Sequence, residues 1–249
     1  MNSIVYALIA FPILYALERG IHYYLMLMTY LMLRQRKAAF YMYAVILLPG
    51  VFLHELSHWV MANLLWVPTY RFSVRPRLFD DGTFVLGYVE SSTRSRNGVP
   101  VGPVRWTLIG VAPLLFGIAA ILMIGFFVFD IGQVQLAVMS EGNFTAALDA
   151  IFETPYWGIW LYLLFAISNA MMPSKPDRQA WPTFFVIVFV IVLSLYAMGV
   201  LEEIWISMAP LIIATSTYLG VAFSITIIVN LFFLAVLFVL IRFLKIWRV

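Results

Sequence analysis

Of 249 residues, 64% are hydrophobic, 17% aromatic and only 11% charged, against roughly a quarter charged in ordinary soluble domains, so the composition is that of an integral membrane protein. The 15 Lys and Arg against 12 Asp and Glu leave a net charge of +3, which in such a chain reports topology and points to no nucleic-acid partner. Cysteine is absent, which excludes disulfides, thiolate metal sites and a cysteine nucleophile, and any metal must be held by His and carboxylate.

Residues 3–17 and 21–33 are each short of the roughly 20 residues that cross a bilayer. Only Glu18, Arg19 and Gly20 separate them, and one long tilted helix is expected. With no basic start and no small-residue cleavage site before Glu18, no removable signal peptide is expected. The next apolar run, 39–67, contains Pro49 and Gly50, where a kink is expected.

From 70 to 78 the residues Tyr70, Phe72, Val74, Pro76 and Leu78 alternate with Arg71, Ser73, Arg75 and Arg77, a period of two that predicts a strand. Asp81-Gly82 is a hairpin turn pair, and 83–90 alternates again through Phe84, Leu86 and Tyr88. Pro76 makes the first strand of this hairpin, 70–90, an edge. A polar link leads to a span at 104–129, and 130–155 connects on the opposite side. Further spans are expected at 157–172, ended by "PSKP", at 181–201, and at 218–244. The short apolar stretch 204–216 holds Pro210 and is expected to lie in the interface or to re-enter. The fold expected is thus an all-α integral membrane protein of about six transmembrane helices with a small, cytoplasmic-side, membrane-associated β-hairpin. Its units are an N-terminal transmembrane segment, 1–38, a core, 39–180, and C-terminal transmembrane helices, 181–249.

If the hairpin, the "PSKPDR" turn and the C-terminus share a side, that side holds 11 of the 15 basic residues, and the positive-inside rule makes it cytoplasmic. Arg34, Arg36 and Lys37 run against the rule on the opposite side. A multi-pass protein of the cell membrane with both termini cytoplasmic is expected.

The run "VILLPGVFLHELSHWVMANLLWV" carries His54, Glu55 and His58 at its centre. Residues four apart on a helix are turned by roughly 400°, so both imidazoles project from one face within reach of a single ion, with Glu55 beside them. This is the HExxH geometry of zinc hydrolases: two imidazoles bind Zn²⁺ and the Glu is the general base. The bland reading is a histidine pair packed in a bundle with Glu55 as its hydrogen-bond partner. Against it, the chain has only 3 histidines, and ionisable groups within a span are costly and by default mark function. The third ligand must be a carboxylate or His22, and the candidate carboxylates near membrane depth are Asp177, Asp130, Glu202 and Glu203. Asp177 has the best context, because Asn169, Pro173 and Pro176 break a span there and non-helical backbone at such depth suits a wet cavity.

"HELSH" within a span, a cytoplasmic β-hairpin, a second span, and a third that ends in Asn169, Pro173, Pro176 and Asp177 together resemble the site-2 protease family of intramembrane zinc metalloproteases. The resemblance covers residues 39–180. It implies His54, His58 and Asp177 as zinc ligands, Glu55 as general base, and Asn169 as a group that orients substrate backbone or stabilises the oxyanion. It implies a substrate that is the transmembrane helix of another membrane protein, entering from the bilayer, as in regulated intramembrane proteolysis. Arg178 stands where the family usually has Gly, and the prolines lie closer to the Asp than usual, which marks a divergent member. Two other readings are carried: a prenyl-protein type of membrane zinc protease with Glu202 or Glu203 as third ligand, and a non-catalytic protein that binds membrane helices. Glu18, Arg19 and His22 are expected to form a structural polar cluster. Gly110, Pro113 and Gly117 are expected to serve packing or a kink, and the hairpin is either a plain connection or an edge for an extended substrate.

Overall fold

The computed structural model describes residues 2–79, 83–134 and 144–246. The first apolar stretch is indeed one helix, α1 (Ser3–Leu33). It is capped by the Asn2 side chain, which accepts from the Ile4 N–H at 3.1 Å, and is closed by Arg34 in a left-handed conformation. The run with the histidines divides into α2 (Arg36–Ile46) and α3 (Leu48–Leu64), bent by 68°. The break falls at Leu47, just before Pro49, because a proline in the first turn has no N–H that the helix would miss.

The hairpin is two short ladders rather than two continuous strands. Strands β1 (Thr69–Ser73) and β4 (Tyr88–Ser91) pair antiparallel with Phe72 opposite Val89, while β2 (Arg77–Leu78) and β3 (Phe84–Val85) pair with Leu78 opposite Phe84. Pro76, which cannot donate to a ladder, lies in the gap between β1 and β2. The turn expected at Asp81-Gly82 lies outside the described residues.

Beyond the hairpin come α4 (Pro103–Phe127), α5 (Phe144–Glu153), α6 (Trp157–Ser168), α7 (Trp181–Ala197) and α8 (Leu201–Ile246). Two expectations change here. The span expected at 157–172 is helical only to Ser168, about 18 Å, and bends by 97° against α5. The separate pieces expected at 204–216 and 218–244 are a single helix of 46 residues that carries Pro210 inside it. At about 69 Å it is more than twice as long as the hydrocarbon core is thick. Among the described residues three helices, α1, α4 and α8, are long and apolar enough to cross a membrane, or up to five spans if each bent pair counts as one. The expected count of about six therefore stands at three to five; α7, at 17 residues, is a shorter apolar helix.

The most extensive helix pair is α1 with α8, followed by α3 with α4. Along α1 the buried Ala10, Leu14, Ile21, Leu25 and Met28 recur at steps of three, four and seven residues, the stripe of one helix face. Glycines set the closest approaches, as small residues do where helices pack in lipid. A Cβ at Gly50 of α3 would collide with the Ala166 carbonyl of α6, and one at Gly110 of α4 with the carbonyl of Asp177. Gly117 of α4 likewise faces the Met171 side chain. So α3, α4 and the connection after α6 are drawn tightly together, and the site lies where they meet.

Candidate metal centre

His54 and His58 lie one turn apart on α3 with their Nε2 atoms 3.1 Å from each other. Asp177, in the connection between α6 and α7, places Oδ1 3.2 Å from His58 Nε2 and Oδ2 3.7 Å from His54 Nε2. The three offer ligand atoms that all lie within 4.8 Å of one another. Four-coordinate zinc with Zn–N near 2.0–2.1 Å needs ligand atoms about 3.3 Å apart. The spacing fits.

The far side of each ring fixes its tautomer. His54 Nδ1 is 2.6 Å from the Ala170 carbonyl oxygen and His58 Nδ1 is 2.8 Å from that of Ile109. A carbonyl only accepts, so each Nδ1 carries the proton and donates, and each Nε2 in the neutral ring is a bare lone pair. Two lone pairs and a carboxylate that converge without a proton between them repel one another; a cation at their centre satisfies all three. Imidazoles held through Nδ1 by carbonyls are the usual outer shell of a metal site. Asp177 is steadied by the Ser174 N–H, which donates to Oδ2 at 2.6 Å, and by the contact of its backbone with Gly110. The group His54, His58 and Asp177 can therefore hold a metal ion.

Glu55 is 7% exposed. Its side chain lies against the hairpin, where a Cβ at Gly87 would stand 2.7 Å from Glu55 Cγ and 3.0 Å from Oε1. No hydrogen bond or ion pair joins its carboxylate to another described residue. A secluded carboxylate left free beside a metal-ligand cluster is available for proton transfer. It shares with His54, His58, Asp177 and Asn169 a cavity of about 1230 Å³, one wall of which is the hairpin from Phe84 to Val89.

The remaining candidates fall elsewhere. His22 shares a 2.7 Å hydrogen bond with the Tyr43 hydroxyl and lies 3.5 Å from Glu18. It sits on the cavity wall as part of its own polar cluster, outside the ligand trio. Glu202 and Glu203, in the exposed first turn of α8, and Asp130 do not line the cavity. Asn169 does, and is 1% exposed. Its Nδ2 donates to the Phe165 carbonyl at 2.8 Å and to Asn230 Oδ1 at 2.9 Å, which leaves its Oδ1 without a partner.

Sequence reasoning missed three parts of the centre. The Ile109 and Ala170 carbonyls are main chain and leave no side-chain signal. Gly87, between β3 and β4, is a glycine inside the predicted strand pattern 83–90, a recognised mark of close backbone approach. Asn230 is the one amide in the apolar stretch 218–244, and a buried polar group in a span is itself a pointer. Comparison with known protein families, with curated proteins and with solved structures returned no match.

Proposed function

We propose that the protein is a zinc metalloprotease of the membrane, built on the plan of the site-2 proteases, that hydrolyses a peptide bond in or near a transmembrane segment of another membrane protein. The observation that carries the reading is the pair of Nδ1–H donors held by main-chain carbonyls, which turns both Nε2 lone pairs toward Asp177 at the spacing of a tetrahedral ion. Zinc suits this nitrogen and oxygen set and, when bound, acts as a Lewis acid toward a carbonyl and makes water a nucleophile near neutral pH.

The side chains divide the remaining work. Glu55 takes the proton from the attacking water and passes it to the leaving nitrogen. Asn169 has committed its two N–H groups, and the atom it has left is an acceptor. That atom is buried, so Asn169 reaches a substrate backbone N–H only if its side chain turns into the cavity, and oxyanion stabilisation, which needs a donor, does not fall to it. The apolar helices around the site admit a substrate helix from the bilayer, and the hairpin beside Glu55 offers strand edges to a locally unwound segment. The orientation that agrees with most basic residues puts the hairpin, the Asp177 connection and both termini in the cytoplasm of a cell-membrane protein. Such a site suits regulated intramembrane proteolysis. Asp177 rather than Glu202 or Glu203 stands with the histidines, which favours this plan over the prenyl-protein type.

The test is purified protein in lipid vesicles with a panel of transmembrane peptides, wild type beside Glu55→Gln. Cleavage by the wild type and none by a variant that still holds zinc is expected; cleavage at the wild-type rate by Glu55→Gln would sink the mechanism.

A further inference from the structure

We infer that Asn230, on α8 and outside the part of the chain that resembles the protease family, is a positioning residue for the metal centre. It is 1% exposed, and its Oδ1 accepts from Asn169 Nδ2 at 2.9 Å and from Ser168 Oγ at 3.0 Å. The sense of these bonds follows from chemistry. Asn169 Nδ2 also faces the Phe165 carbonyl, which only accepts, so the nitrogen must lie on that side and Asn230 must present its oxygen. Ser168 and Asn169 end α6, and the next residue, Ala170, supplies the carbonyl that holds His54. A continuous link therefore runs from α8 through the end of α6 to a ligand imidazole.

Packing alone does not explain an amide there. Leucine is nearly the same size and free of polar cost, whereas this arrangement leaves Asn230 Nδ2 and Asn169 Oδ1 buried without partners. Unpaired buried polar atoms are destabilising and call for an explanation beyond stability. Asn169 lines the cavity and Asn230 does not. Asn230 thus touches no substrate; it fixes the rotamer of Asn169 and the turn that carries the Ala170 carbonyl. The long last helix, through this one residue, becomes part of the site.

The inference rests on the metal-binding part of the proposed function and not on proteolysis, so its test is metal affinity. Purified full chain is titrated with Co²⁺ and followed by visible absorption, for wild type, Asn230→Leu, Asn169→Ala and the double variant. Leu237→Ala, a buried apolar position on the same helix, controls for lost packing. Asn230→Leu is expected to weaken Co²⁺ binding about tenfold, the lower end for outer-shell partners. In the Asn169→Ala background the same substitution is expected to have little further effect, because neighbours in one network are not additive. Should Asn230→Leu fail to accumulate, Asn230→Ala carries the same expectation. Wild-type affinity in the Asn230 variants, an equal loss in Leu237→Ala, or losses that multiply in the double variant would overturn the inference. A wild type that takes up no Co²⁺ overturns the metal centre and this inference together, whereas Co²⁺ binding by a protein that cleaves no peptide removes only the protease reading.

Discussion

His54 and Ala170, 116 residues apart in the chain, are joined by a 2.6 Å hydrogen bond from the imidazole Nδ1–H to the carbonyl oxygen. His58 is held in the same way by Ile109. These bonds convert two histidines on one helix into two oriented lone pairs, and they do it with main-chain atoms of two other segments, α4 and the connection after α6. The ligand set is thus specified by how three segments pack as much as by which side chains they carry.

The first prediction separates ligands from the base. Purified wild type is expected to hold one metal ion per chain, His54→Ala and Asp177→Ala to lose at least about tenfold in affinity, and Glu55→Gln to retain it. Glu202→Gln, Glu203→Gln and His22→Ala are expected to bind as wild type, since none belongs to the trio. Elemental analysis of the purified variants decides this. Full metal content in Asp177→Ala, or its loss in Glu202→Gln, would return the third ligand to the last helix.

A second prediction concerns the packing that presents Asp177. Gly110→Ala places a methyl group against the Asp177 carbonyl, which is backbone and cannot simply swing away. Overpacking of this kind costs about 1–3 kcal/mol, and here the displaced atoms belong to a ligand residue. Metal affinity is expected to fall about 10- to 100-fold. Gly20→Ala, in the interior of α1 with nothing within 4 Å of the new methyl, is expected to leave affinity unchanged and to raise stability by about 0.5–1 kcal/mol. Equal behaviour of the two variants in metal titration and thermal melts would contradict the close approach.

The triplet of His54, Glu55 and His58 was legible in the sequence because its information is local: a spacing of four on one helix puts His54 and His58 together whatever the rest of the chain does. Asp177 was legible only through context, a carboxylate beside prolines that break a span. The long α1 and the break near Pro49 also followed from apolar length and proline position. In the last third the apolar helix that starts at Trp181 was legible, and the other boundaries were not. The stretch 204–216 with Pro210 is expected to lie in the interface or re-enter, yet α8 runs through it without a break, and the prolines after residue 172 do not mark the end of α6, which comes four residues earlier at Ser168. The strand pattern 70–90 was real but overextended, since each arm yields two short strands separated by unpaired residues. Hydropathy records how apolar a stretch is. It says little about where a helix ends inside apolar sequence, and nothing about carbonyls that act from the main chain.

A third prediction tests sidedness, for which the absence of cysteine is an advantage. Single cysteines replacing Arg75 in the hairpin and Lys175 in the Asp177 connection are expected to react with a membrane-impermeant maleimide from the same side. One replacing Gln35, between α1 and α2, is expected to react only from the other. Measured in sealed vesicles of known orientation, the hairpin side should be cytoplasmic. Labelling of Arg75→Cys and Gln35→Cys from one side would mean that the bent pair of α2 and α3 does not cross.

The last prediction isolates Glu55 from the metal. Gly87 lies between β3 and β4, and an added methyl would stand 2.7 Å from Glu55 Cγ and 3.0 Å from the Ser73 carbonyl oxygen. Either the hairpin lifts or the carboxylate shifts, because the Ser73 side of the contact is main chain paired in β1. Neither movement touches His54, His58 or Asp177, so metal content in Gly87→Ala is expected to match the wild type. A base displaced by about 1 Å can lose about a hundredfold in rate, and kcat on a transmembrane peptide is expected to fall by that order. Metal loss as large as in Asp177→Ala would show that the hairpin supports the ligands as well as the base. Undiminished kcat would show that Glu55 does not need the hairpin's close contact, and that its seclusion under Gly87 plays no part in proton transfer.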